Sequence, residues 1–162
     1  MPTPKTIRQR LIDALIARLA RIQTANGFQT DIGLEPADDW PTRYSEVELR
    51  ETTRMGVVDL TDTAVQEYPD EKKIPHVLTL QVRIFHARGT TPAELRVMMG
   101  DVEQAIVSDE TTGARDATFG GLAIDTKPTE SSFIVPRETF AIDGAAVSFT
   151  VEFLTEPFNA YE

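Results

Sequence analysis

The sequence predicts an α+β fold, a mainly antiparallel sheet with two principal helices packed on it. Three observations lead there. An amphipathic helix opens the chain, a second capped helix lies mid-chain, and two long segments alternate apolar and polar residues with period two. At 162 residues and 41% hydrophobic, the chain is long enough for one well-cored domain. One domain is therefore expected over 1–162, with a long acidic loop at about 28–50 and a short tail at about 156–162.

The first helix is expected from about Pro4 to Gln23, with Thr3 as cap and Pro4 in the first helical position. Ile7, Leu11, Leu15, Leu19 and Ile22 recur at helical spacing, widened by Ile12 and Ile16, leaving Arg8, Arg10, Arg18 and Arg21 mainly on the other side. Asn26-Gly27 ends it. The segment GLEPADDWPTRYSEVELRE carries two prolines and the only Trp, and reads as a loop with one possible helical turn after Ser45. Met55–Leu60 and Thr63–Tyr68 read as short strands joined near Thr61-Asp62, followed by the charged turn YPDEKK.

From Val77 the pattern sharpens. Leu78, Leu80, Val82 and Ile84 share one face and Thr79, Gln81 and Arg83 the other. Arg88-Gly89-Thr90 closes this strand. Thr91-Pro92-Ala93-Glu94 is a capping box, and Leu95, Met98, Val102 and Ile106 stripe the helix behind it. Ser108–Thr118 reads as a polar loop and Phe119–Asp125 as a strand, giving a βαβ-like local order. Phe133–Val135 and Phe140–Ile142 read as short strands. Val147, Phe149, Val151 and Phe153 then alternate along a final strand closed by Pro157.

Composition narrows function mainly by exclusion. No apolar run approaches the ~18 residues of a membrane span, so a soluble protein is expected. The opening residues have no apolar core of a secretory signal. Zero Cys removes disulfides and thiolate chemistry and fits a reducing compartment. The formal charge is -10. Residues 1–23 hold five cations against Asp13 alone, a local +4 that leaves the remainder at −14. Such a body repels phosphates, so no direct nucleic-acid binding is expected.

The residues offer little for catalysis. His86 falls in phase with Ile84 at a strand end, and His76 follows Pro75 with no partner identifiable in the sequence. No Gly-x-Ser-x-Gly elbow is present. Asp38-Asp39, Asp59 with Asp62, and Asp109-Glu110 lack calcium-loop spacing and read as solvated loop charge. Gly120-Gly121 precedes a strand rather than a helix and lacks the P-loop lysine, so it reads as a close approach or bulge. No enzyme, metal or cofactor is expected. Trp40, beside Asp39, reads as a loop anchor or an interface contact.

The layout of IRQRLIDALIARLARI, a mid-chain sheet, PAELRVMMGDVEQAIVSD, GGLAID and VSFTVEFLTEP resembles the tail terminator (tail completion, minor tail protein U-like) proteins of long-tailed bacteriophages. The resemblance implies a virion structural subunit, assembled in the host cytoplasm. It would form a ring, commonly of six copies, that caps the tail tube, ends its polymerisation and joins the tail to the head connector. Its partners would be itself, the tail tube protein and the connector protein. A ring contact joins two different patches. Arg8, Arg10, Arg18 and Arg21 are the candidate basic patch, and Asp38, Asp39, Trp40, Asp109 and Glu110 the candidate acidic one. Two alternatives remain: a neck or head-completion protein, and an acidic DNA mimic that inhibits a nucleic-acid-binding protein.

Overall fold

A computed structural model describes residues 4–33, 36–38, 52–65, 73–87, 89–134, 144–156 and 159. Helix α1 (Ile7–Ala20) is followed by a 3-10 turn at Thr24–Asn26 and a two-residue strand β1 (Ala37–Asp38). Strands β2 (Arg54–Ala64) and β3 (Ile74–Phe85), helix α2 (Pro92–Ile106), and strands β4 (Asp125–Ile134) and β5 (Gly144–Thr155) complete the order. The fold is α+β, as the periodicities predict.

The sheet runs β1-β2-β3-β5-β4. β1 pairs parallel with β2, and all other pairings are antiparallel. Because β3 and β4 both run antiparallel to β5, they are parallel to each other. The β3–α2–β4 segment is therefore a βαβ crossover split by the last strand to be made. This is the predicted local order, with a central strand supplied from the far end of the chain.

One face of the sheet carries the core. Leu78, Leu80, Val82 and Ile84 on β3 and Val147, Phe149, Val151 and Phe153 on β5 are buried, as their alternation requires. They pack with Leu11, Leu15 and Leu19 of α1 and Leu95, Val102 and Ile106 of α2. Between them on β3, Thr79, Gln81 and Arg83 stay partly exposed. The α2 capping box forms as read: Thr91 Oγ1 accepts from the Glu94 amide, and Glu94 accepts from the Thr91 amide.

Several boundaries differ from the sequence reading. α1 starts at Ile7, not Pro4, because Thr6 is the cap, its hydroxyl accepting from the Gln9 amide at 3.1 Å. Thr3 lies outside the described residues. Gly27, at φ 89°, does end a turn, but that turn is the 3-10 one after α1. The expected pair of strands around Thr61-Asp62 is one continuous strand, β2. Its ladder slips by one residue between Asp59 and Thr61, so a bulge at Leu60 breaks the period while the pairing continues.

Of the expected strand Phe119–Asp125 only Asp125 is in a strand, as the first residue of β4. Phe119, Gly120 and Gly121 all have positive φ, of 51°, 65° and 87°, and fold into a turn that delivers the chain to β4. Leu122 and Ile124 thus share no strand face, and Ile124 is 53% exposed. Phe133 and Ile134 end β4. The rest of that expected strand, Phe140–Ile142, Arg88, residues 66–68, most of the YPDEKK turn and the expected turn after Ser45 lie outside the described residues.

The start of the long loop is built into the body. Phe28 and Ile32 are buried, and the Gly33 amide donates to the Ile22 carbonyl at 2.9 Å. A Cβ at Gly33 would lie 2.8 Å from the Ala20 and Ile22 carbonyl oxygens, so only glycine lets this segment close over the end of α1. Gly33→Ala should destabilise the protein by about 1–3 kcal/mol, the usual cost of overpacking. A urea titration would show this as a lower midpoint with an unchanged slope.

Candidate functional site

Two clusters of polar side chains stand out, and they lie at opposite ends of α1. The first is centred on Arg18. Its position on α1 should leave it on the polar side, yet it is only 1% exposed. Nη1 donates to the carbonyls of Ile106 and Asp116, both at 2.7 Å, and Nη2 donates to Asp116 Oδ2 at 2.7 Å. Nε reaches Glu110 Oε2 at 3.4 Å, and the guanidinium lies 3.9 Å over the Phe119 ring. A buried cation persists only when its donors are met, and these partners meet them. The Ile106 carbonyl is one of the orphan acceptors at the end of α2, where positive charge is also favoured by the helix dipole.

Asp116 organises the turn beside it. Its oxygens accept from the amides of Thr118 and Gly120 and from the Thr118 hydroxyl. Burial works against its charge. The Thr118 hydroxyl, the Gly120 and Thr118 amides and Arg18 outweigh it and hold the carboxyl at about 2. The same contacts fix Phe119 in a left-handed conformation that a bulky side chain rarely adopts. Asp109 caps its own loop by accepting from the Thr111 and Thr112 amides, and Arg21 donates to the Asp109 carbonyl at 3.2 Å. A related clamp holds the chain after α1: buried Asp101 on α2 accepts from the Gln29 and Thr30 amides and the Thr30 hydroxyl.

The candidate interface residues thus divide. Arg18, Arg21, Asp109 and Glu110 belong to one internal node, and Arg18 in particular is no docking side chain. Arg8 pairs within the chain with Asp59 and Asp62. Asp38 is exposed and accepts from Gln9 at 3.2 Å. Arg10 is exposed and makes no ion pair among the described residues. Asp39 and Trp40 lie outside the described residues.

The second cluster was invisible in the sequence. His76, on β3, has two partners: Nδ1 lies 2.9 Å from Asp62 Oδ1 on β2, and Nε2 lies 2.9 Å from Thr155 Oγ1 on β5. Its ring stacks on Phe153 at 4.9 Å between centroids and 17° between planes. The β2 bulge makes this possible. Asp59 and Asp62 are three apart and would face opposite sides of a regular strand. The extra residue at Leu60 places them opposite Leu80 and Leu78, both on the helix-bearing face. There both carboxylates meet Arg8, and Asp62 also meets His76. Arg8, Asp62 and His76, together with Thr6, Phe153 and Glu156, line a cavity of about 450 Å³.

His86 is partly buried, and its Nδ1 lies 2.9 Å from the Ala87 carbonyl. Among the described residues no three metal-ligating side chains converge, and no helix is long and apolar enough to cross a membrane.

The depressed Asp116 carboxyl sets a pH signature. A carboxylate held below its unfolded value stabilises the fold fully above that value, 3.8, and loses this as pH falls toward about 2. Stability measured by urea unfolding should fall through that acid window. Asp116→Asn should be less stable at neutral pH and lose stability less steeply between pH ~4 and ~2. Equal acid slopes in the two proteins would show that Asp116 is not a source of this dependence. No protein-family model matches the chain, and no curated protein matches it with significance.

Proposed function

We propose that the chain is a virion structural subunit of long-tailed phages that assembles as a ring on the end of the tail tube. There it ends tube polymerisation and joins the tail to the head connector. The observation that carries this reading is the architecture. A sheet covered by its two helices on one face, with a split βαβ core, supports it, although GGLAID, one of the segments on which the resemblance rests, is a turn leading into β4 and not a strand. The other face presents Thr79, Gln81, Arg83, Ser148, Thr150 and Glu152, partly exposed and available for contacts between subunits.

The edges of the sheet bear on how subunits would meet. Among the described residues β4 pairs only with β5, and β1 covers just two residues of β2. β4 is interrupted by Pro128 and a register shift before Glu130, features that block indiscriminate strand addition. Side-chain contacts between unlike patches therefore fit better than a continuous intersubunit sheet. Arg8 and Arg18 are paired within the chain and Arg21 is turned to the Asp109 carbonyl, so exposed Arg10 is the cation of this set best placed to guide a neighbour's acidic surface. Its effect would fall on the rate and orientation of assembly more than on affinity.

Particle mass in solution, with negative-stain images of the protein mixed with tail tubes, tests the reading. Six copies of the 18.0 kDa chain would give a ring of about 108 kDa. Rings seated on tube ends are expected, even where the free protein is smaller. A compact monomer that never caps tubes would remove the proposal. Arg10→Glu should slow assembly at low salt without changing thermal stability. Unaltered assembly in that variant would sink the charge-guided contact, leaving the ring itself to the imaging.

A further inference from the structure

The Asp62–His76–Thr155 line has a direction. An ionised carboxylate can only accept, so a neutral His76 imidazole places its proton on Nδ1 toward Asp62. Nε2 then carries the lone pair and accepts from the Thr155 hydroxyl at 2.9 Å. Three strands thus set a hydroxyl, a base and a carboxylate that fixes the base's tautomer in hydrogen-bonded series. This is the arrangement that activates a hydroxyl nucleophile, and it is defined by geometry and not by chain order. The stack on Phe153 holds the ring plane. Thr155, although 7% exposed, lines the cavity.

We propose that this cluster is an acyl-transfer site for small neutral esters, with Thr155 as nucleophile and His76 as general base. The inference goes beyond the assembly role and does not depend on it. The cavity, at about 450 Å³, falls in the ~300–1,000 Å³ range of small-molecule sites. Ile74, Ala64 and Phe153 offer an apolar wall for a short acyl chain, while Asp62 and Glu156 disfavour an anionic substrate. Arg8 lines the same space. Its fork has five donors, and its contacts to Asp59 and Asp62, the ion pairs it makes among the described residues, leave others for the developing oxyanion.

The step balances within these groups. Thr155 Oγ bonds to the ester carbonyl carbon as its proton passes to His76 Nε2. Collapse of the adduct breaks the bond to the leaving oxygen, which takes that proton. Water then attacks the acyl-Thr155 carbonyl and gives a proton to Nε2. Release of the carboxylic acid returns that proton to Thr155 Oγ. Asp62 touches no reacting atom and is a positioning residue.

The test uses the full chain and p-nitrophenyl acetate, following nitrophenolate release and mapping acetyl groups by peptide mass spectrometry. The expected result is one acetyl group on the Thr155 peptide, with turnover. His76→Ala should slow turnover by roughly a hundredfold or more, as loss of a general base does. Thr155→Val should abolish the acetyl adduct, whereas Thr155→Ser should keep it, which separates chemistry from misfolding. Asp62→Asn should lower kcat by roughly tenfold or more with KM unchanged, because an amide can donate to Nδ1 and reverse the tautomer. Absence of an acetyl group on Thr155 in the wild-type chain overturns the proposal. So does Thr155→Val turning over at the wild-type rate, which would make His76 or a surface amine the nucleophile.

Discussion

The buried guanidinium of Arg18 is the constraint on which the helix layer depends. It joins α1 to the last carbonyl of α2 and to the turn that feeds β4. Apolar packing is non-directional and tolerates sliding. A charge with fixed donor angles does not, because any displacement strands a buried cation at a cost of several kcal/mol. The node therefore sets the register of α1 on α2. It also sets the unusual backbone at Phe119, whose ring is the floor under the cation. Asp101 does the same for the chain leaving α1, so both connections between the helices end on a satisfied buried charge.

What the sequence made legible follows from the range of the forces involved. The β3 and β5 alternations and the α2 capping box are local, and each appeared where its periodicity or spacing puts it. Arg18 reads as a surface residue in sequence because helical phase places it beside polar positions. The groups that draw it inward are 88 and 98 residues away. The turn at Phe119–Gly121 reads as a strand in sequence because Leu122 and Ile124 alternate, while the positive φ of the glycine pair is visible only in three dimensions. The capacity of β2 to run on through Thr61-Asp62 was equally hidden, since a bulge mimics a turn in a period-two reading.

The same limit explains His76. Its partners lie 14 and 79 residues along the chain, and neither stands in a recognisable spacing. Register makes the cluster: β3 pairs His76 with Ala64 on one side and Phe153 on the other, so the three strands bring Asp62 and Thr155 to it. A sequence search for catalytic groups looks for short-range patterns. Hydroxyl–imidazole–carboxylate sets have none, so a sequence without such patterns can still assemble one in three dimensions.

The bulge at Leu60 ties these observations together. Without it, one of Asp59 and Asp62 would turn to the other face of the sheet, and Arg8 would lose a partner. If Asp62 were the one displaced, His76 would also lose the carboxylate that fixes its tautomer. One extra residue thus couples the N-terminal turn of α1 to the end of the sheet through Arg8. It does so far from the Arg18 node, which secures the other end of the same helix. α1 is held by ionic contacts at both ends and apolar contacts between, and its outward charge is largely consumed in that work. Arg8 and Arg18 are paired within the fold while Arg10 is exposed with no ion pair among the described residues, so a partner would meet the acidic character of the body with Arg10 standing out on the helix.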